Sequence, residues 1–271
     1  MLKGSLGSPY LDPAMARTYR LVTAPVQFAP PASDLVSLLG PAAGARILDV
    51  GTGTGIVAEQ IQDVVGPATR VVGVDSAIAM LAEGRRSMAY PVVVAQLSEL
   101  PFETHTFDMA TAGFVISHAR HYEAALKEIA RVCRDGARVG FTVWGSLPNP
   151  AAQLWTETAT QFVPKAALTA AFHAHIPWDE WFSDATKLRQ ALEGAGLADC
   201  KVETRTYRMR MPTSNFLLSR EASIQGAVLR ERLTDDQWKR FQGQLFEAFE
   251  TTFGSVVEYD RDVHFGVART H

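Results

Sequence analysis

The chain has 271 residues, 47% apolar and 20% charged, with a formal net charge of −3. Those are the proportions of a globular protein that buries a real core, as one large domain or one domain with a sizeable insertion. No run of like charge gives it the footprint of a nucleic-acid or anionic-membrane binder, two cysteines (Cys133 and Cys200) make neither a disulfide framework nor a metal site, and no stretch approaches the roughly 18 apolar residues of a membrane span.

Residues 1–45 are expected to form a lead-in rich in Pro and Ala, with a helical pattern at Leu35, Val36, Leu38 and Leu39. Its first nine residues lack the apolar run of a secretory signal, so the expected location is cytoplasmic. Residues 46–145 alternate strand and helix signals. Apolar runs at 47–50, 71–74, 92–95, 109–112 and 139–144 read as strands, and Ile56, Val57, Ile61, Val64 and Val65 recur near helical spacing. Leu126, Ile129, Ala130 and Cys133 fit one helix face, which places Cys133 in a core, and Arg134-Asp135-Gly136 reads as a turn. Strands alternating with helices imply a parallel sheet covered on both faces.

Residues 146–271 mix helical and aromatic segments with two strand-like runs. Leu188, Leu192 and Ala195 mark a helix that stops at Gly196, and residues 200–209 alternate as a strand, Val202, Thr204, Thr206 and Arg208 against Lys201, Glu203 and Arg205. A helix is expected to start at Thr234 or Asp235 as N-cap, with Phe241, Leu245, Phe249 and Phe253 along it. Residues 263–268 read as a last strand. The expected insertions are residues 146–184 and 212–256.

The motif that carries chemistry runs Leu48-Asp49-Val50-Gly51-Thr52-Gly53-Thr54-Gly55. An apolar strand runs into three glycines at alternate positions, and a helix follows. Glycines let a backbone turn tightly and approach a ligand, and the helix start offers unpaired N–H groups, so this is a nucleotide-cofactor loop. A dinucleotide fingerprint wants its third glycine at position 56, which is Ile56, whereas Gly55 comes one residue early.

With that loop, an acid ending the second strand (Val72-Gly73-Val74-Asp75), Met80-Leu81, Leu100-Pro101-Phe102 followed by Phe107-Asp108, and Glu128-Ile129-Ala130-Arg131-Val132, the chain resembles the class I S-adenosylmethionine-dependent methyltransferases. It looks most like their small-molecule group, which includes the ubiquinone and menaquinone biosynthesis enzymes. The likeness covers residues 46–145 and extends to the rest only as layout. It implies an α/β, Rossmann-like, doubly wound and mostly parallel sheet of seven strands with helical lid insertions, and S-adenosyl-L-methionine as cofactor. It also implies methyl transfer to O, N or C of a small-molecule acceptor by in-line displacement, a reaction that needs no metal, and the bland charge leaves no nucleic-acid partner expected.

Under the resemblance the cofactor residues are Asp49, Gly51, Thr52, Gly53 and Gly55 of the loop and Asp75, whose carboxylate has acceptor sites for two ribose hydroxyls. Ser76 and Ala77 would line one side of the adenine and Gln96 and Leu97 its edge and other face, Gln96 standing where the family often has Asp. Ala112 and Gly113 would lie beside the sulfonium, and Tyr10 and Tyr19 would close the pocket from the lead-in. Candidate bases are His118, which follows the fourth strand with His121 three residues on, and His173 and His175. Trp155, Phe162, Phe172, Trp178, Trp181 and Phe182 form either a lid over a planar or greasy substrate or the insertion's own core. Two other readings stay open: a relative that keeps the site for binding or cyclisation without methyl transfer, and an NAD-linked oxidoreductase, against which Ile56 and Gly55 argue.

Overall fold

The computed structural model describes residues 10, 12–66, 69–85 and 87–271; the first nine residues of the expected lead-in lie outside the described residues. Seven strands form one sheet: β1 (Arg46–Val50), β2 (Arg70–Asp75), β3 (Val92–Val94), β4 (Phe107–Gly113), β5 (Cys133–Trp144), β6 (Ala198–Pro212) and β7 (Val256–Arg269), in the order β3-β2-β1-β4-β5-β7-β6. The first five are parallel, and β7 runs antiparallel to β5 and β6. The chain winds outward from β1 to β3 and then returns to β4 on the other side of β1. That reversal opens a crevice over the carboxyl ends of β1 and β4.

Helices cover both faces. α1 (Pro13–Thr18) and a π-helical turn (Tyr19–Thr23) lead into α2 (Ala24–Gln27) and α3 (Ala29–Leu39). α4 (Ile56–Val65), α5 (Ile78–Gly84) and α6 (Tyr122–Val132) connect the parallel strands. α7 (Pro150–Ala159), α8 (Lys165–His175), α9 (Asp179–Phe182) and α10 (Ala185–Gly194) follow β5, and α11 (Thr213–Glu221), α12 (Ile224–Arg232) and α13 (Asp235–Phe253) link β6 to β7. Thr234 caps α13 in a capping box with Gln237, which satisfies two otherwise orphaned N–H groups. Among the described residues no helix is long and apolar enough to cross a membrane.

The sheet carries a core on each face. One gathers Phe107, Leu126, Ile129, Phe141 and Leu188; the other gathers Leu35, Leu39, Ile47, Ile61 and Phe265. A third core lies among α7, α8 and α11–α13, around Trp155, Phe216, Phe241 and Phe249.

Three local readings change. Cys133 is not on the helix but is the first residue of β5; it is buried, and burial pushes its thiol up to about 12. Residues 134–136 are not a turn between elements but a bulge within β5, because the pairing jumps from Phe107↔Cys133 to Met109↔Arg138. Thr270 holds the bulge: its Oγ1 accepts from Ala137 N–H at 2.9 Å and its carbonyl accepts from Gly136 N–H at 3.1 Å. In β6 the sheltered face changes along the strand. Val202 packs against the core under α10, whereas Arg205, Tyr207, Met209 and Met211 turn the other side inward. The strand outruns one layer of helices and enters another, so no single alternation describes it.

Candidate functional site

The loop after β1 adopts its shape because glycine stands at its bends. Gly51 (φ 68°) and Gly55 (φ 99°) lie in the left-handed region, and a Cβ on Gly51 would sit 2.3 Å from Val115 Cγ2, one on Gly55 2.6 Å from Tyr90 Oη. The loop is tied to β2: Thr52 N–H donates to Val74 O at 2.9 Å, and Gly53 N–H donates to Asp75 Oδ2 at 2.8 Å. The other oxygen of Asp75 accepts from Ala77 N–H at 2.8 Å. Asp75 therefore staples the glycine loop to the end of β2, a role that the sequence reading did not include. Each of its oxygens keeps a lone pair for a further donor.

A cavity of about 770 Å³ opens above these residues. Its floor is Gly51 and Gly53, then Asp75, Ser76 and Ala77 at the end of β2, Gln96, Leu97 and Ser98 after β3, and Gly113, Phe114 and Val115 after β4. Its roof is Tyr10, Tyr19 and Phe28 from the N-terminal segment and His173, Ala174, His175 and Pro177 at and just after the end of α8, with His118 and His121 at one side. Of the residues singled out in the sequence, Asp49, Thr52, Gly55 and Ala112 do not line the cavity. They stand behind it: Asp49, Thr52 and Ala112 are buried, and Gly55 is the N-cap of α4. The reading missed Phe28, Phe114 and Val115. Phe114 alone carried a local signal, as the residue after Gly113 at a strand end.

Low polarity governs the electrostatics. Burial lifts the Asp75 carboxyl above the usual range, although backbone N–H groups of Ala77, Gly53 and Ser76 pull it down. Burial pushes Asp49 up to about 6; Thr111 Oγ1 donates to its Oδ1 at 2.7 Å, while Oδ2 has no hydrogen-bond partner. Tyr10 is pushed up to about 12, by burial first and then by Asp179 and Asp75, and Tyr19 is also raised, by burial first and then by Tyr10 and Asp75. His118, with the Tyr10 ring edge-on at 5.6 Å, is driven down to about 4 by burial, so its imidazole is neutral at pH 7. His175 Nδ1 lies 2.9 Å from Ala171 O. A carbonyl can only accept, so Nδ1 carries a proton and Nε2 is the ring nitrogen left for another partner.

The aromatic residues of the first insertion do not meet at the cavity. Trp155 and Phe162 belong to the helical core, Trp178 and Phe182 to the sheet core beside Tyr122, and Trp181 is exposed under Lys187. The cavity's own aromatic wall is Phe28 and Phe114, packed edge-on at 5.0 Å, with Trp144 behind them at 5.4 and 4.4 Å.

Residues 47–136 match the family model described as "Methyltransferase domain". The ubiquinone/menaquinone biosynthesis C-methyltransferase of Roseobacter denitrificans is 34% identical over 126 residues, which are 44% of this chain and 50% of that protein. The malonyl-[acyl-carrier protein] O-methyltransferase of Salmonella typhimurium is 29% identical over 182 residues, 61% of this chain and 70% of that protein. The chain thus spans about half the length of the first relative. Among solved structures, phosphoethanolamine N-methyltransferase 2 of Haemonchus contortus, bound to phosphomonomethylethanolamine and S-adenosylhomocysteine, superposes with a TM-score of 0.59 at 17% identity, over 98% of this chain and 60% of that one. That likeness is one of fold.

Proposed function

We propose, from the premise that residues 47–136 are a methyltransferase domain of the class I S-adenosylmethionine-dependent type, that the chain transfers a methyl group from S-adenosylmethionine to O, N or C of a small-molecule acceptor. One observation carries the reading: a large roofed cavity lies at the sheet's reversal point, with the glycine loop and the Asp75 carboxylate in its floor.

The residues fit the adenosyl group. Asp75 has two free acceptor sites for a ribose diol, Gly51 and Gly53 present backbone without side chains, and Ser76, Ala77, Gln96 and Leu97 form a mixed apolar and amide pocket of the kind an adenine takes. When bound, the sulfonium supplies an activated methyl group. The chain's task is alignment and exclusion of water, and alignment alone is worth ~7–11 kcal/mol. Tyr10, Tyr19 and Phe28 exclude water from above, and Phe28 and Phe114 give an aromatic or apolar acceptor a surface to lie on. His118 is held neutral and is a weak base at a pKa of about 4. His175 lines the same cavity with Nδ1 held by Ala171 O, so its Nε2 is the site that would take a proton from an acceptor hydroxyl.

Calorimetric titration with S-adenosylmethionine, S-adenosylhomocysteine and NAD tests this on wild type and Asp75→Ala. The expected result is micromolar binding of both adenosyl ligands, at least tenfold weaker in the variant, with NAD silent. No adenosyl binding to wild type would end the reading.

A further inference from the structure

Residues 12–23 form a strap across the Asp75 end of the cavity. They are α1, with Asp12 as its N-cap, and the π-helical turn that follows. Tyr19 on that turn lines the cavity with Gly53, Asp75, Ser76 and Ala77. The strap belongs to none of the three cores. It rests on a small cluster of its own, in which Ala16 packs with Ala77, Ala79 and Met80 at the start of α5, flanked by Tyr10 and Tyr19. Three alanines and a methionine bury little apolar surface, so packing alone holds the strap weakly. On its other side the turn borders α11, where Leu21 and Leu218 stay exposed.

The chain changes character at Pro25. Ala24 N–H donates to Tyr19 O, the five-residue step of a π-helix, and Pro25 has no N–H with which to continue the ladder. Beyond it the chain is anchored. Ala24 is fully buried, Val26 packs on the helical core, and Leu35, Val36 and Leu39 lie in a sheet core. A weakly packed segment that ends at such a break can open locally while the rest of the molecule holds.

One side chain ties the strap down. Arg20, next to Tyr19, donates through Nη1 to Glu83 O at 2.7 Å, in the last turn of α5, and through Nη2 to Ser87 Oγ at 2.9 Å. Ser87 Oγ donates in turn to Glu59 Oε1 at 2.8 Å, in the first turn of α4. The two helices so joined are the ones that follow the glycine loop and Asp75. The planar fork of a guanidinium spans two acceptors at once. Arg20 itself does not line the cavity, so it acts on a ligand there only through the strap.

We infer that Arg20 is a positioning residue: it latches Tyr19 over the cofactor, and the cofactor enters and its product leaves when the latch releases and the strap swings about Pro25. That the occupant is the adenosyl cofactor rests on the proposed function; that Arg20 holds the strap does not. The latch stabilises the shut strap whether the cavity is empty or filled. Its loss therefore speeds entry and release alike and leaves affinity nearly unchanged. A residue that gripped the ligand would instead lose affinity in step with faster release.

The test follows release of tritiated S-adenosylmethionine into excess unlabelled ligand, its affinity by calorimetry, and amide hydrogen exchange of the ligand-free protein. It uses wild type, Arg20→Met, Arg20→Lys and, as the control for loss of one charge, Arg17→Met, since Arg17 is exposed on α1. Release is expected to be about tenfold faster in Arg20→Met, the scale of one or two lost hydrogen bonds, with affinity within about twofold of wild type. Arg20→Lys is accelerated less, and Arg17→Met matches wild type. Exchange rises across residues 14–23 in Arg20→Met while β1 and β4 exchange as before. Unchanged release in Arg20→Met, an affinity loss that matches the faster release, or equal acceleration in Arg17→Met overturns the inference. So does exchange that rises in β1 and β4 as well, which makes Arg20 a general stabiliser. Failure of S-adenosylmethionine to bind wild type ends the proposed function and the passage with it, whereas hydrogen exchange still decides whether Arg20 holds the strap.

Discussion

Asp49 is an acid that the fold keeps dry. It sits in the middle of the sheet, one oxygen served by Thr111 and the other by nothing, and its pKa stands at about 6 against 3.8. A folded pKa above the unfolded one means that the native state holds the proton more tightly. The stabilisation from Asp49 is therefore complete below pH 3.8 and is lost as pH rises through about 6, and at 1.36 kcal/mol per pKa unit the loss is about 3 kcal/mol. His118 works in the opposite sense: its folded pKa of about 4 lies below 6.5, so its contribution is present above pH 6.5 and lost as pH falls through 4. Asp49→Asn removes the first slope and leaves the second. Urea unfolding of wild type and variant between pH 4.5 and 7.5 is expected to show the variant gaining on wild type by about 2 kcal/mol as pH rises; parallel curves would refute the assignment. A cation bound above the glycine loop would hold the Asp49 proton off and flatten the wild-type curve.

The strand, glycine loop and helix around positions 47–65 were legible because their determinants are local. Glycines at alternate positions, an acid at the end of β2 and an apolar run before each need only a few neighbouring residues to be recognised. The roof was less so. Tyr10 and Tyr19 stood out as aromatics of the lead-in, but Phe28 reaches Phe114 only because α2 folds over the ends of β4 and β5, and no spacing in the sequence encodes that. The face change in β6 has the same origin, since it depends on which helices the strand reaches beyond the sheet. The element itself gives a double test at its bend. Gly51→Ala places a Cβ 2.3 Å from Val115 Cγ2 and also forces a non-glycine residue to φ 68°, a conformation that costs ~1–2 kcal/mol by itself. Val115→Ala in the same chain relieves the clash and leaves the backbone strain. Thermal unfolding is expected to show Gly51→Ala strongly destabilised and the double variant recovering part of the loss. Recovery to the wild-type level would mean that φ at Gly51 is unstrained for alanine, and no recovery that Val115 is not what the added methyl meets.

At the scale of the whole molecule, three cores share few side chains, yet the chain is built to unfold as one. β6 and β7 pair from Ala198↔Arg269 to Pro212↔Val256, so their far ends, with Met209, Met211, Val257 and Tyr259, lie in the helical core, while Val263 and Phe265 lie in a sheet core. Trp144 and Tyr207 pack against both. The helical layer cannot melt without fraying the two longest strands, and the strands cannot separate without opening the layer. The cavity lies where the sheet, the N-terminal helices and α8 meet, so a ligand there tightens all three. Trp155 and Trp238 report on the helical core, and far-UV circular dichroism reports on the whole. Under the proposed function, the two signals should trace one coincident urea transition, and S-adenosylhomocysteine at a hundred times its Kd should move both by the same amount, about 2.7 kcal/mol. Two transitions, with only the later one shifted by ligand, would mean that the helical layer is a separate unit and that β6 and β7 bridge it without coupling it.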